Sequence, residues 1–76
     1  MSKWSEKDES LQKLRNLKPS QSCSVQWFRD GGGEVHRVYD VYVLFEIPQY
    51  GGKPRYIGTY GQNQLSELVD TVYSWA

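Results

Sequence analysis

The stretch from Glu34 to Ala76 constrains this chain most. It holds a long alternating run, EVHRVYDVYVLFEI, then a loop, PQYGGKP, a short run, RYIGTY, and a closing segment, GQNQLSELVDTVYSWA. Alternation with a period of two marks a strand with two distinct faces. In 34–47 the odd positions Val35, Tyr39, Val41, Val43, Phe45 and Ile47 are apolar, broken only by Arg37. The even positions Glu34, His36, Val38, Asp40, Tyr42, Leu44 and Glu46 are mixed. The odd face is therefore expected to meet the core. The run exceeds a usual strand, which predicts a bend or a late start near Val38.

The closing segment reads as an amphipathic helix. Leu65, Leu68, Val69, Val72, Tyr73 and Ala76 recur at helical spacing, with Ser66, Glu67, Asp70, Thr71 and Ser74 opposite and Asn63 as cap. Pro48 to Pro54, with Gly51 and Gly52 inside, predicts a hairpin loop. Its length pairs Phe45 with Ile57, Val43 with Thr59, Tyr42 with Tyr60 and Glu46 with Tyr56. That register places Tyr42, Tyr56 and Tyr60 on the face away from the helix.

Upstream, residues 5–18 read as a helix. Ser5 is its cap, Asp8 lies in its first turn, and Leu11, Leu14 and Leu17 form a thin stripe ended by Pro19. Residues 22–29 alternate, with Cys23, Val25 and Trp27 on one face and Ser24, Gln26 and Phe28 on the other. Asp30-Gly31-Gly32-Gly33 reads as a turn. The expected fold is α+β in the order α-β-β-β-α: one small domain over 1–76, residues 1–4 flexible, with a three-stranded antiparallel sheet and the C-terminal helix on one face.

A chain of 76 residues buries a thin core. Three Trp, six Tyr and two Phe give that core, or an interface, large rings. The formal net charge is zero, but residues 1–18 carry five basic against three acidic side chains, and 19–76 four against six. A slightly acidic body is a poor polyanion binder, because phosphate neutralisation supplies most non-specific nucleic-acid affinity. The lone Cys23 permits no internal disulfide, and with the lone His36 it makes no zinc ligand set. No signal peptide or membrane span is read from the sequence, so a soluble cytoplasmic protein is expected.

Catalytic chemistry has little to work with. His36 lies near Glu34 and Asp40, and a carboxylate beside an imidazole can tune a general base. A surface histidine on a polar strand end accounts for the same pattern, and Cys23 aligns with apolar neighbours as a core residue does. Neither Gly31-Gly32-Gly33 nor Gly51-Gly52-Lys53 matches a phosphate-binding fingerprint. No catalytic residue, metal or cofactor is assigned, and the chain is not read as an enzyme.

The functional expectation is a small binding module that acts by protein–protein interaction, as accessory, regulatory and inhibitory proteins do. Tyr42, Leu44, Tyr56, Tyr60 and Phe28 are its candidate partner-binding residues, since aromatic rings anchor interfaces. Homodimerisation through the sheet or an edge strand is its simplest form. Cross-strand pairing that only stabilises the sheet, or cover by the first helix, would explain the tyrosines as well.

The alternative is a nucleic-acid-binding domain that uses the three-stranded sheet with Arg29, Arg37 and Arg55. The α-β-β-β-α order is also that of double-stranded-RNA-binding domains. Those begin the final helix with lysines, where this chain has Gln62-Asn63-Gln64. This alternative ranks below the protein-binding reading.

Overall fold

The computed structural model describes residues 6–28 and 31–75. In chain order they form α1 (Glu6–Arg15), β1 (Ser22–Phe28), β2 (Gly31–Val38), β3 (Val41–Pro48), β4 (Arg55–Gly61), a 3-10 turn (Gln62–Gln64) and α2 (Leu65–Tyr73). The α+β class and the antiparallel sheet are as expected, but the sheet has four strands, in the order β1-β2-β3-β4. The extra strand also removes the element order shared with double-stranded-RNA-binding domains. The expected cap Ser5 and the expected flexible residues 1–4 lie outside the described residues.

The fourth strand arises because the long alternating run folds back on itself. Tyr39 and Asp40 form a two-residue turn between Val38 and Val41, which pair across it. Tyr39 takes φ +55°, a conformation that residues other than Gly, Asn and Asp rarely adopt. No Asn-Gly or Asp-Gly marks this turn in the sequence, so the usual hairpin signal is missing.

This turn reverses which residues face inward. Val35 pairs with Leu44 and Arg37 with Tyr42, so odd positions of β2 share a face with even positions of β3. Val35, Tyr42 and Leu44 are all buried. Val41, Val43, Phe45 and Ile47, expected in the core, lie on the opposite face. Tyr39, expected there too, is an exposed turn residue.

A similar correction applies to β1. Cys23 pairs with Val35 and Ser24 with Glu34. Val25 then has no partner, and pairing resumes with Gln26 and Gly33. This bulge leaves Cys23, Val25 and Phe28 on the core side and turns Trp27 outward. The buried Ser10 hydroxyl of α1 donates to the Val25 carbonyl at 3.0 Å. The helix thus satisfies a backbone acceptor beside the irregularity.

Gly31, Gly32 and Gly33 form the start of β2 rather than a turn. Gly31 has φ +141°, and a Cβ there would come within 2.3 Å of the Ile47 carbonyl oxygen. A Cβ on Gly33 would meet the Val72 methyls at 2.9 and 3.1 Å. The missing side chain lets α2 settle close to the sheet.

Both helices pack on the face that carries Val35, Tyr42 and Leu44. Leu65, Leu68, Val69 and Val72 of α2 are buried there with Leu14 and Leu17. Burying each such side chain stabilises the fold by roughly 1.5–3 kcal/mol. Asn63 is not the cap of α2: it lies inside the 3-10 turn, where the Gly61 N–H donates to Gln64 Oε1 at 3.0 Å. The first helix stops at Arg15, short of Lys18, although Leu17 stays buried. The molecule measures 37 × 33 × 17 Å, and 17 Å accommodates one sheet and one helix layer. Among the described residues, no helix is long and apolar enough to cross a membrane.

Candidate functional site

The outer face of the sheet follows from the strand parities. β3 contributes Val41, Val43, Phe45 and Ile47, and β2 contributes Gly32, Glu34, His36 and Val38. Trp27, Ser24 and Ser22 of β1 flank one side. Tyr56 and Thr59 of β4 flank the other. Among the described residues, neither helix lies on this side.

Three rings form a row across it. The His36 ring meets Phe45 edge-on at 5.4 Å between centroids, and Phe45 meets Tyr56 at 6.1 Å. Tyr56 reaches this face because of a second irregularity. The β3–β4 register shifts after Leu44, so that Phe45 pairs with Tyr56 and Ile57 is passed over. The expected pairs Val43–Thr59 and Tyr42–Tyr60 occur. Phe45–Ile57 and Glu46–Tyr56 are replaced by Phe45–Tyr56 and Glu46–Arg55. The Tyr56 hydroxyl shares a hydrogen bond with Thr59 Oγ1 at 2.8 Å, which ties the tip of the ring to the strand.

Trp27 continues the apolar surface beside Ile47. A Cβ on Gly32 would fall 2.8 Å from two carbons of the indole, so the ring lies across the glycine. Trp27, Tyr56 and Val38 remain 50%, 58% and 46% exposed, large values for apolar side chains on one sheet face. A shallow depression bordered by Glu34, His36, Val38, Val43, Phe45 and Pro54 occupies part of this surface. Its outward charges are few. Glu34 Oε2 lies 3.4 Å from His36 Nε2, and no lysine or arginine of the described strands points this way.

The five expected partner-binding residues are therefore not one patch. Tyr42 and Leu44 are 2% and 0% exposed and belong to the core, because the two-residue turn reverses their parity. Phe28 is half-buried on the core side, edge-on to Tyr73 at 5.7 Å. Tyr60 shares the inward face with Tyr42, and its hydroxyl donates to Thr71 Oγ1 of α2 at 3.4 Å. Of the five, Tyr56 alone stands on the outer face.

The arginines do not converge either. Arg37 donates from Nη1 to the Leu17 carbonyl and from Nε to the Tyr39 carbonyl, facing the core side. Arg55 pairs with Glu46. Arg29 lies outside the described residues.

Sequence reasoning placed Trp27, Val43, Phe45 and Ile47 on the core side, and it named neither them nor Val38, which it left on the face away from the core, as site residues. One signal was available: VYVLF is apolar at both parities, the pattern of a strand covered on both faces. Cys23 is half-buried on the core side of β1 beside Val35, and loss of hydration pushes its thiol pKa up, with Lys13 opposing and Glu34 adding to the shift. Comparison with known proteins finds no matching family model, no matching curated protein and no matching solved structure.

Proposed function

We propose that this chain is a non-catalytic interaction module that docks a protein on its outer sheet face, as an accessory, regulatory or inhibitory protein would. The observation that carries this reading is the row His36–Phe45–Tyr56, flanked by Trp27, Val43 and Ile47 and uncovered among the described residues. Exposed apolar patches with aromatic anchors and few charges suit the centre of a protein interface. Ser22 and Ser24 of the edge strand supply a polar rim on one side.

A second reading has one observation in its favour. Rings on an open sheet can stack unpaired bases. It is opposed by the electrostatics, because such platforms also need cations along the strand's phosphates. The outward strand positions offer no lysine or arginine among the described residues.

The test compares the wild type with a Trp27→Ala, Tyr56→Ala double variant as bait, before and after nuclease treatment. Both side chains are at least half exposed, so the variant should keep its fold. Retention of a protein, nuclease-resistant and lost in the variant, supports the module. Retention abolished by nuclease moves the assignment to single-stranded nucleic acid. Equal retention by both baits removes the outer face from consideration.

A further inference from the structure

We infer that the protein seated on the outer face is a second copy of this chain, packed sheet against sheet about a two-fold axis near Phe45. This rests on the reading of that face as a protein-docking surface and names its occupant.

The first argument is self-complementarity. A two-fold contact sets each residue row against itself in reverse. Along β3 the outward row is Val41, Val43, Phe45, Ile47, and its last three residues are a large ring between two branched aliphatics of similar size. A two-fold at Phe45 lays the second copy's Ile47 over Val43 and its Val43 over Ile47. These three residues are nearly palindromic in volume, which suits an isologous contact.

The second argument is area. Four strands of seven or eight residues form the face. At about 4.8 Å between strands and about 3.3 Å per residue, the flat face covers roughly 450–500 Å². Side-chain relief raises the accessible area above that. Two such faces together reach the ~1,000 Å² that separates specific interfaces from incidental contacts. A small peptide would cover only part of it.

The third argument is charge. The chain has zero formal net charge, so two copies do not repel at long range. The outward carboxylate is Glu34, which pairs with Phe45 across β2 and β3, and its Oε2 lies 3.4 Å from Nε2 of His36, the residue opposite Val43. A contact centred on the Val43–Phe45–Ile47 row covers this pair as well. A strongly acidic or basic partner would find no matching field here.

The fourth argument is the strand itself. In β3, Tyr42 and Leu44 are buried under the helices while Val43, Phe45 and Ile47 face the other way. Such a strand belongs to a sheet covered on both sides. Packing two outer faces about 10 Å apart makes β3 central in a four-layer α/β/β/α assembly.

The experiment is sedimentation equilibrium of the full chain from micromolar to submillimolar concentration. The expected result is a mass approaching twice 8.8 kDa as concentration rises. Phe45→Lys should raise the dimer dissociation constant at least about 100-fold while the far-ultraviolet spectrum stays native. If Phe45→Lys does not fold, the Trp27→Ser, Tyr56→Glu double variant tests the same face at exposed positions and should also dissociate the dimer. A wild type that stays monomeric throughout overturns the second copy as occupant. The docking reading then stands or falls by the bait comparison above, which scores proteins other than the chain itself. A dimer that survives the face variants overturns the placement of the contact.

Discussion

The guanidinium of Arg37 lies over the ring of Tyr42, 5.3 Å from its centroid. The two residues pair across β2 and β3, one step inside the turn that reverses the sheet's parity. The same guanidinium donates to the Tyr39 carbonyl in that turn at 2.9 Å and to the Leu17 carbonyl after α1. One side chain thus joins the turn, the buried tyrosine and the end of the first helix. Backbone bonds run alongside: Ser20 N–H donates to the Arg37 carbonyl at 2.9 Å, and Arg37 N–H to the Gln21 carbonyl at 3.0 Å.

Arg37→Ala should therefore destabilise the fold by about 2 kcal/mol, from two lost hydrogen bonds, the cation–π contact and stem packing. In a domain this small that lowers Tm by about 10 °C. Arg37→Lys keeps the charge but not the fork, and should recover less than half of the loss. Thermal melts followed by circular dichroism measure both. An unchanged Tm for Arg37→Ala would mean that the turn and helix end hold without it.

Neighbouring residues of β3 should respond oppositely to the same change. Leu44→Asp places a carboxylate in a fully buried site and should abolish the folded state, as should Val69→Asp on α2. Val43→Asp places it on the outer face and should leave a native spectrum and a cooperative melt. Far-ultraviolet spectra of the three variants decide it. Unfolding of Val43→Asp with retention of Leu44→Asp would restore the parity expected from the alternating run.

Gly33 and Val72 should be energetically coupled. Gly33→Ala pushes a methyl group toward the Val72 side chain and Leu44 Cδ1, the latter at 3.5 Å, and should cost about 1–3 kcal/mol. Val72→Ala leaves a cavity by itself but vacates the space that the new methyl needs. The double variant should lose at least about 0.5 kcal/mol less than the sum of the singles. Urea denaturation of the four proteins closes the cycle, and strict additivity would show that α2 does not approach the sheet at Gly33.

Cys23 should react slowly with thiol reagents in the folded protein. Burial raises its pKa, so less thiolate is present near neutral pH than in a free cysteine, and the rise of rate with pH is displaced upward. The linked stability runs the same way. The neutral thiol's contribution is complete below the unfolded pKa and is lost as pH rises through the folded one. Glu34→Gln removes a smaller contribution of the same sign and should bring the profile slightly down. Alkylation rates across pH 7 to 10 in buffer and in urea test this (the range follows from ordinary thiol titration). Identical folded and unfolded profiles would contradict it.

The legible parts of the fold were local ones. Leu65, Leu68, Val69 and Val72 share one side of a helix because helical spacing puts them there, whatever the sheet does. Gln49 to Pro54 loops out because Gly51 supplies φ +87° and the flanking prolines resist strand continuation. The candidate surface was less legible. Tyr56 was recognised, while Tyr42 and Leu44 were placed on the wrong side and Trp27, Phe45 and Ile47 were assigned to the core.

What the sequence determined by itself was therefore an α+β chain with a secure closing helix, a proline-bounded hairpin loop and a strand apolar at both parities. Which parity faces the helices was decided only in three dimensions. It depends on the two residues at Tyr39 and Asp40, on the unpaired Val25 and on the shift at Phe45. Each is a matter of one or two residues in the register, and each moves all the side chains beyond it to the other face. Alternation reports that a strand has two faces. Naming the inner one needs the helix that lies against it, which here reaches the sheet over Gly33 and closes on Leu44.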